Sequence, residues 1–322
     1  MSRTTVAEWS ERWLKARGAL KPSTLAEYES RLRCLIVPYL GDVQLRGLDT
    51  IGVEEWVAHL AASGLSPSRV RSARTLLSSM LTTAVRSGYV GRNPAEGVAV
   101  PRDRRRVMLF LDAGQVLDLA DTIDPRFRLL VLVLAYTGLR WGEAAALRRG
   151  RVDLLRRRLE VVESLAEVAG RLHFGPTKTY QERWVTMPRF LVESLSAHLE
   201  SVPSGSGSLV FTAAGGGALR RSNFGRRVWR PAVLDAGLPD QLRVHDLRHT
   251  CAALLVADGA NPKMVQAHLG HSSIQVTLDT YGHLFPSDIE AMAAGLDAVH
   301  ARAVAARAAG TQRAVLELDR RR

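Results

Sequence analysis

Cysteine is nearly absent from this chain: Cys34 and Cys251 are the only two in 322 residues. That excludes a disulfide framework and a cysteine metal cluster, and it fits a reducing cytoplasm. Lysine is scarce as well. Of 44 basic residues only Lys15, Lys21, Lys178 and Lys263 are lysines, the rest being arginine. Codon bias accounts for such an excess as readily as function does, so a placed lysine tells more than an arginine. No long apolar run exists. The longest, residues 129–136, falls far short of the roughly 20 residues a bilayer span requires. No signal peptide opens the chain, so a cytoplasmic protein without membrane insertion is expected.

What the chain has in excess is positive charge. A net charge of +12 and a pI near 10.5 point to a polyanionic partner, because arginine and lysine contacts to phosphates release condensed counterions. A membrane surface is the rival polyanion. With 46% apolar and 24% charged residues, the composition is that of a folded protein with room for two ordinary cores. Charge locates the seam. Residues 1–100 carry +4 and the remainder after residue 110 carries +5, while the ten residues between them alone carry +3. The expected organisation is a helical domain at 1–100, a basic linker at 101–106 and a second domain at 107–322. In the linker, Pro101 is followed by Arg102, Arg104, Arg105 and Arg106, which suits either an extended, solvated connector or a strap across DNA.

Helical periodicity fills residues 1–90. Val6, Trp9 and Trp13 mark a first helix. Leu25, Tyr28, Leu32 and Leu35 mark a second, opened by Pro22-Ser23 and closed by Gly41. Val53, Trp56, Val57 and Leu60 mark a third. The fourth starts at Ser66-Pro67, buries Val70, Leu77, Met80 and Leu81, and stops at Gly88. The second half opens with helices, one around residues 117–120 and one ending at Tyr136. Strands are expected at 152–154, 158–162, 171–174 and 183–187, with turns at Gly170 and Gly175-Pro176. Helices dominate after a Ser/Gly-rich loop at 201–217, and the residues ending Arg320-Arg321-Arg322 read as a tail. The fold class is therefore mainly α with a small antiparallel sheet. No internal repeat is visible.

Four short segments carry chemistry. Thr137-Gly138-Leu139-Arg140-Trp141-Gly142-Glu143 puts Arg140 in the first turn of a helix, where free N–H groups favour an anion, with Glu143 one turn on. Taken singly, this is an ordinary surface Arg–Glu pair. Gly175-Pro176-Thr177-Lys178 places a rare lysine at a hairpin, where most lysines are merely solvated. His245-Asp246-Leu247-Arg248-His249 opens a helix with the stripe Leu247, Cys251, Leu254 and Leu255, and leaves His245 and Arg248 on the opposite edge. His245 and His249 have the spacing of a metal pair, but no glutamate follows His245 and Arg248 opposes a cation, so no metal is expected. Finally, Leu269-Gly270-His271 is followed by a helix bearing Tyr281. That tyrosine follows Ile274 and Leu278 at helical spacing and alone would read as a core residue. Tyr136 and Tyr180 are rival nucleophiles on chemistry alone.

Together these residues supply two guanidiniums to hold phosphate oxygens, an ammonium and imidazoles to move protons, and a phenol to attack. Their order resembles that of the tyrosine recombinase family, particularly phage-type integrases, over nearly the whole chain. The resemblance implies that residues 1–100, with Lys21-Pro22-Ser23-Thr24 and Tyr39-Leu40-Gly41, form a SAM-like core-binding domain, and that 107–322 form the catalytic domain. It implies that Arg140 and Arg248 bind the scissile phosphate, with Glu143 supporting Arg140. Lys178 would protonate the departing 5′ oxygen, His245 and His271 would assist, and Tyr281 would form a 3′-phosphotyrosine without metal, ATP or other cofactor.

The implied partners are double-stranded DNA with paired recombination sites and three further copies of the chain on that DNA. The chain would be a monomer when free in a bacterial cytoplasm or nucleoid, with an accessory directionality factor as a further partner. The resemblance also implies that a helix at 287–308 docks on a neighbour. Arg69, Arg71 and Arg74, with Arg104, Arg105 and Arg106, are candidate DNA contacts. Because the core-binding pattern begins near Thr5, an N-terminal arm-binding domain is expected to be absent or truncated. A type IB topoisomerase-like relaxing enzyme, a non-catalytic DNA-binding regulator and a metal nuclease are the competing readings.

Overall fold

Thr5 starts the first helix, α1 (Val6–Lys15), through a reciprocal cap in which its hydroxyl accepts from Glu8 N and its own N–H donates to the Glu8 carboxylate. In this computed structural model of the chain the described residues are 3–102, 108–177, 182–285 and 293–307. They fall into two compact units, Met1–Cys251 and Ala252–Arg322.

The first part of the larger unit is all helical. After α1 come α2 (Pro22–Arg31), α3 (Val37–Leu40), α4 (Thr50–Ala62) and α5 (Pro67–Arg86). The second helix expected from the sequence is interrupted: Leu32–Ile36 form a π turn between α2 and α3, with Val37 N bonded to Leu32 O. Pro38 explains it. Proline lacks the N–H an α-helix needs there and its ring crowds the preceding turn, and one wide turn relieves both. The core gathers Trp9, Trp13, Trp56, Leu77, Met80 and Leu81. Each indole N–H is satisfied, Trp9 by Met80 O at 3.1 Å, Trp56 by Leu35 O at 2.8 Å and Trp13 by Thr83 Oγ1 at 3.0 Å.

A second hydrophobic cluster, from Leu111 to Leu247, occupies the rest of this unit. Helices α6 (Ala113–Thr122) and α7 (Pro125–Thr137) precede the short α8 (Trp141–Ala145). In α7 every residue from Leu129 to Ala135 is buried, so it runs through the interior and not across a surface. Strands β1 (Val152–Asp153), β2 (Arg158–Val161), β3 (Glu163–Val168), β4 (Arg171–Pro176) and β5 (Arg183–Thr186) follow. They make an antiparallel sheet in the order β1-β2-β5 and a separate β3-β4 hairpin. Sequence reading misses β3 because Ser-Leu-Ala-Glu favours a helix; pairing with β4 decides otherwise. Ala169 and Gly170, both at positive φ, close that hairpin with the twist a two-residue loop demands. Gly175-Pro176 is not a turn but the end of β4, where Pro176 sits on the last rung and no N–H is missed.

Helices α9 (Arg189–Glu200), α10 (Arg221–Phe224), α11 (Arg230–Asp235) and α12 (Asp246–Ala257) complete this part of the chain. In the smaller unit Asn261 caps α13 (Pro262–Leu269) by accepting from Met264 N, and Gly270 ends it in the left-handed conformation. Next comes α14 (Ile274–Tyr281). A further helix at 293–307 is exposed along its length, with Leu296, Val299 and Val304 open to solvent. The first residues of the helix expected at 287–308 and the tail lie outside the described residues. No helix among the described residues is long and apolar enough to cross a membrane.

Candidate active site

The turn that ends α7 organises the site. Thr137 closes the helix, Gly138 takes φ 62° and ψ 20°, and Arg140 stands extended as the N-cap of α8, one residue before the helix proper. With only five residues, α8 has too short a dipole to hold an anion by itself. Side chains do the positioning instead. Gly142 lets α8 press against β3, where a Cβ would come within 2.4 Å of Ser164 Oγ and 2.6 Å of Leu165 O.

Glu143 is not half of a surface pair. Its side chain is 1% exposed and is gripped from two sides. Arg140 donates to it through its backbone N–H at 2.9 Å and through Nη1 at 2.9 Å. Arg183, on β5, donates to both carboxylate oxygens at 3.0 and 2.7 Å. Burial on its own would raise the carboxyl's pKa, but the hydrogen bonds and charges of Arg183 and Arg140 prevail and hold it at about 2. Sequence reasoning missed Arg183, which sits in a strand with no motif around it; strand register alone brings it to Glu143.

Arg248 reaches the same turn from α12. Its Nη1 donates to the carbonyl of Gly138 at 2.6 Å, and the residue is 3% exposed. The sequence places Arg248 on an edge opposite the apolar stripe; the structure buries it, because its guanidinium completes the C-terminal end of α7. Leu254 and Leu255, expected in that stripe, are only half-buried. Asp246 is buried and held by Arg243, whose Nη2 lies 2.7 Å from Oδ1. His245, just ahead of α12, is accessible and packs edge-on to His249 with ring centroids 5.1 Å apart. Desolvation, then His249 and the guanidiniums of Arg248 and Arg243, push its pKa down to about 4, so the imidazole is neutral at neutral pH.

Lys178 and Tyr180 lie outside the described residues. Thr177, immediately before Lys178, is buried, and Lys21 Nζ donates to its carbonyl at 2.7 Å and to that of Pro176 at 3.3 Å. The second of the four lysines therefore ties the turn before α2 to the end of β4. Tyr136 is half-buried against Phe190, and burial raises its pKa, which disfavours a phenolate there.

In the smaller unit His271 and Tyr281 come together. Their rings stack with centroids 6.1 Å apart and planes 13° apart, and His271 Nδ1 is 2.8 Å from Thr277 Oγ1. Tyr281 is 1% exposed, yet not through the stripe the sequence suggested. Ile274 and Leu278 face solvent, while Tyr281 shares its buried face with Thr277, one turn earlier.

The candidate DNA contacts divide. Arg69 is exposed. Arg71 donates to Pro101 O at 3.2 Å and the half-buried Arg74 to Val98 O at 2.9 Å, so both fasten the connector to α5. Arg104, Arg105 and Arg106 lie outside the described residues. Among the described residues no group of three or more His, Cys, Asp or Glu side chains is placed to hold a metal ion.

Residues 109–287 match the phage integrase family and residues 5–61 match the phage integrase N-terminal SAM-like domain. The chain is 29% identical over 283 residues to the integrase of Mycobacterium phage FRAT1, covering 86% of this chain and 83% of that protein. It is 31% identical over 280 residues to the putative prophage phiRv2 integrase of Mycobacterium tuberculosis H37Rv, covering 84% of this chain and 72% of the relative. Among solved structures it is similar to the Tn1549 transposon integrase in complex with a circular intermediate DNA, at a TM-score of 0.80 and 21% identity over 91% of this chain and 99% of that one. A lambda integrase tetramer bound to a Holliday junction matches at a TM-score of 0.65 and 19% identity, over 87% of this chain and 78% of that one.

Proposed function

Since the chain belongs to the phage integrase family, site-specific DNA recombination is its activity, and we propose that it proceeds by tyrosine-mediated strand transfer, with Tyr281 as nucleophile. The Tyr281 phenolic oxygen attacks the scissile phosphorus, the bond to the 5′ oxygen breaks, and a 3′-phosphotyrosine and a free 5′ hydroxyl result. A partner strand's hydroxyl then attacks the phosphotyrosine, and the phenol is released. One ester is exchanged for another in each step, so no external energy source is needed. The guanidiniums of Arg140 and Arg248 bind the non-bridging oxygens and stabilise the charge that grows on them. Lys178 protonates the leaving 5′ oxygen. Neutral His245 takes the phenolic proton as Tyr281 attacks and returns it when the phenol is released, the negative charge of the phosphate raising the imidazole's basicity. His271 fixes the phenol of Tyr281 by stacking.

The observation that carries this reading is the Gly138–Arg140 turn, held by Arg248 on one side and Glu143 on the other. It sets two guanidiniums, distant in sequence, on one short piece of backbone. Tyr281 is buried in the free chain, so its phenol must be uncovered when the protein assembles on DNA.

The DNA complexes of the Tn1549 and lambda relatives support paired sites in double-stranded DNA as substrate and a homo-tetramer as the working form. The exposed helix at 293–307 would then dock on a neighbouring copy. Residues 1–100 serve as the core-binding domain and 107–322 as the catalytic domain.

The test is covalent trapping. Purified protein is incubated, in EDTA, with double-stranded DNA taken from both sides of its own gene, and a protein–DNA adduct is sought. The adduct is expected with the native chain and absent with Tyr281→Phe. An adduct that persists in Tyr281→Phe, or one that forms only with a divalent metal, overturns the reading. Joining of two such DNAs, as opposed to mere relaxation of one supercoiled plasmid, separates recombination from topoisomerase action.

A further inference from the structure

We propose that Arg183 is a positioning residue for Arg140: by holding Glu143 with both terminal nitrogens it balances that carboxylate and keeps the Arg140 charge available to a phosphate. The inference rests on the reading of Arg140 as a phosphate ligand and adds a residue that no motif marks.

Glu143 is almost wholly buried and bound by two guanidiniums at hydrogen-bond distance, so its charge is screened little by solvent. Arg140 and Glu143 alone would be a neutral pair, and an incoming phosphate would meet a carboxylate about as close as its intended ligand. With Arg183 added, two positive charges face one negative charge and the cluster stays cationic. The carboxyl pKa of about 2 is the mark of that double contact.

Geometry divides the labour. Arg183 takes both carboxylate oxygens, whereas Arg140 commits only Nη1 of its guanidinium to Glu143. Arg183 is the less exposed of the two arginines, with 12% of its side chain open against 25% for Arg140. Its Nε is buried without a hydrogen-bond partner, so among the described residues Glu143 is the group that holds its head. Arg183 is also fixed in the sheet, where it pairs with Val161 of β2, and can thus set the carboxylate as a rigid platform for Arg140.

The experiment uses the full chain in four forms, native, Arg183→Met, Glu143→Gln and the double variant, with inorganic phosphate as the probe in calorimetric titration. Arg183→Met is expected to weaken phosphate binding about tenfold or more, and the double variant to recover most of it, because the carboxylate that needed balancing is gone. A purely structural role for Arg183 predicts no such rescue. Failure of the native chain to bind phosphate, native affinity in Arg183→Met, or a double variant no better than Arg183→Met would each overturn the proposal. If Arg183→Met does not fold, Glu143→Gln is compared with the double variant. Equal or tighter binding in the double supports the proposal and weaker binding overturns it. Adduct formation on the gene-flanking DNA is followed in parallel. Rescue of phosphate binding without an adduct in any form supports the role of Arg183 while refuting tyrosine transfer.

Discussion

Arg248 and Gly138 are joined by a 2.6 Å hydrogen bond from a buried guanidinium to the carbonyl at the left-handed end of α7. The bond makes a phosphate-binding candidate part of the protein's own architecture. It also implies that loss of Arg248 is felt twice, in folding and in chemistry.

Replacing Arg248 with Met leaves the Gly138 carbonyl without this donor. A loss of about 1–3 kcal/mol in unfolding free energy is expected, measured by urea denaturation, together with loss of the covalent DNA adduct. Arg248→Lys is expected to recover part of the stability and little of the adduct, since an ammonium cannot donate to a carbonyl and clamp two phosphate oxygens in one plane.

Gly142→Ala forces a Cβ into the backbone of β3 at Leu165 O. Backbone cannot yield as a flexible side chain would, so destabilisation of about 1–3 kcal/mol is expected. Ser164→Ala in the same chain should not restore stability, because the contact with Leu165 O remains. Thermal melting of the single and double variants checks this.

Lys21→Met removes the donor that ties the end of β4 to the turn before α2. Single-turnover cleavage is expected to slow about tenfold, because Lys178, the proton donor of the proposed mechanism, directly follows the tied Thr177 in sequence and small displacements of such a donor are costly. Global stability should stay nearly unchanged, since the contact is partly exposed. A rate equal to that of the native chain would remove Lys21 from the account.

Acid should weaken the fold in two steps. The folded pKa of His245 is about 4, below the usual 6.5, so the unfolded chain binds the proton more readily and stability drops as pH falls from about 6.5 toward 4. Glu143, held at about 2 against the usual 4.5, adds stability that is full above 4.5 and is lost as pH falls through that range toward 2. Denaturation curves across pH should show His245→Gln flattening the first step and leaving the second.

The apolar periodicity located α1, α4 and α5 because each buries tryptophan, leucine or methionine along one face, and burial of such residues is what the pattern records. Helix α2 buries no residue fully, and the buried part of its stripe, Leu32 and Leu35, lies in the π turn that follows it. The π turn before α3 was not visible, although its cause, Pro38, was. The strand β3 was hidden by residues that suit a helix and become a strand only by pairing with β4. Arg140 and Arg248 stood out by chemistry, but their environments did not: periodicity counts apolar side chains and cannot tell that a guanidinium closes a helix end. The same limit made Tyr281 look like part of the stripe of Ile274 and Leu278, when its buried face is that of Thr277.

By itself, then, the sequence determined which functional groups the protein has, their order, the helical character of its first hundred residues and the charge that suits it to DNA, since all of these are properties of residue type and spacing. Tertiary structure alone decided that Arg183 meets Glu143, that Arg248 is buried at the turn before Arg140, and that Lys21 anchors the strand leading to Lys178. Those contacts join residues about 40, 110 and 156 positions apart. Only packing and strand register, which no local pattern encodes, bring such residues within hydrogen-bond distance.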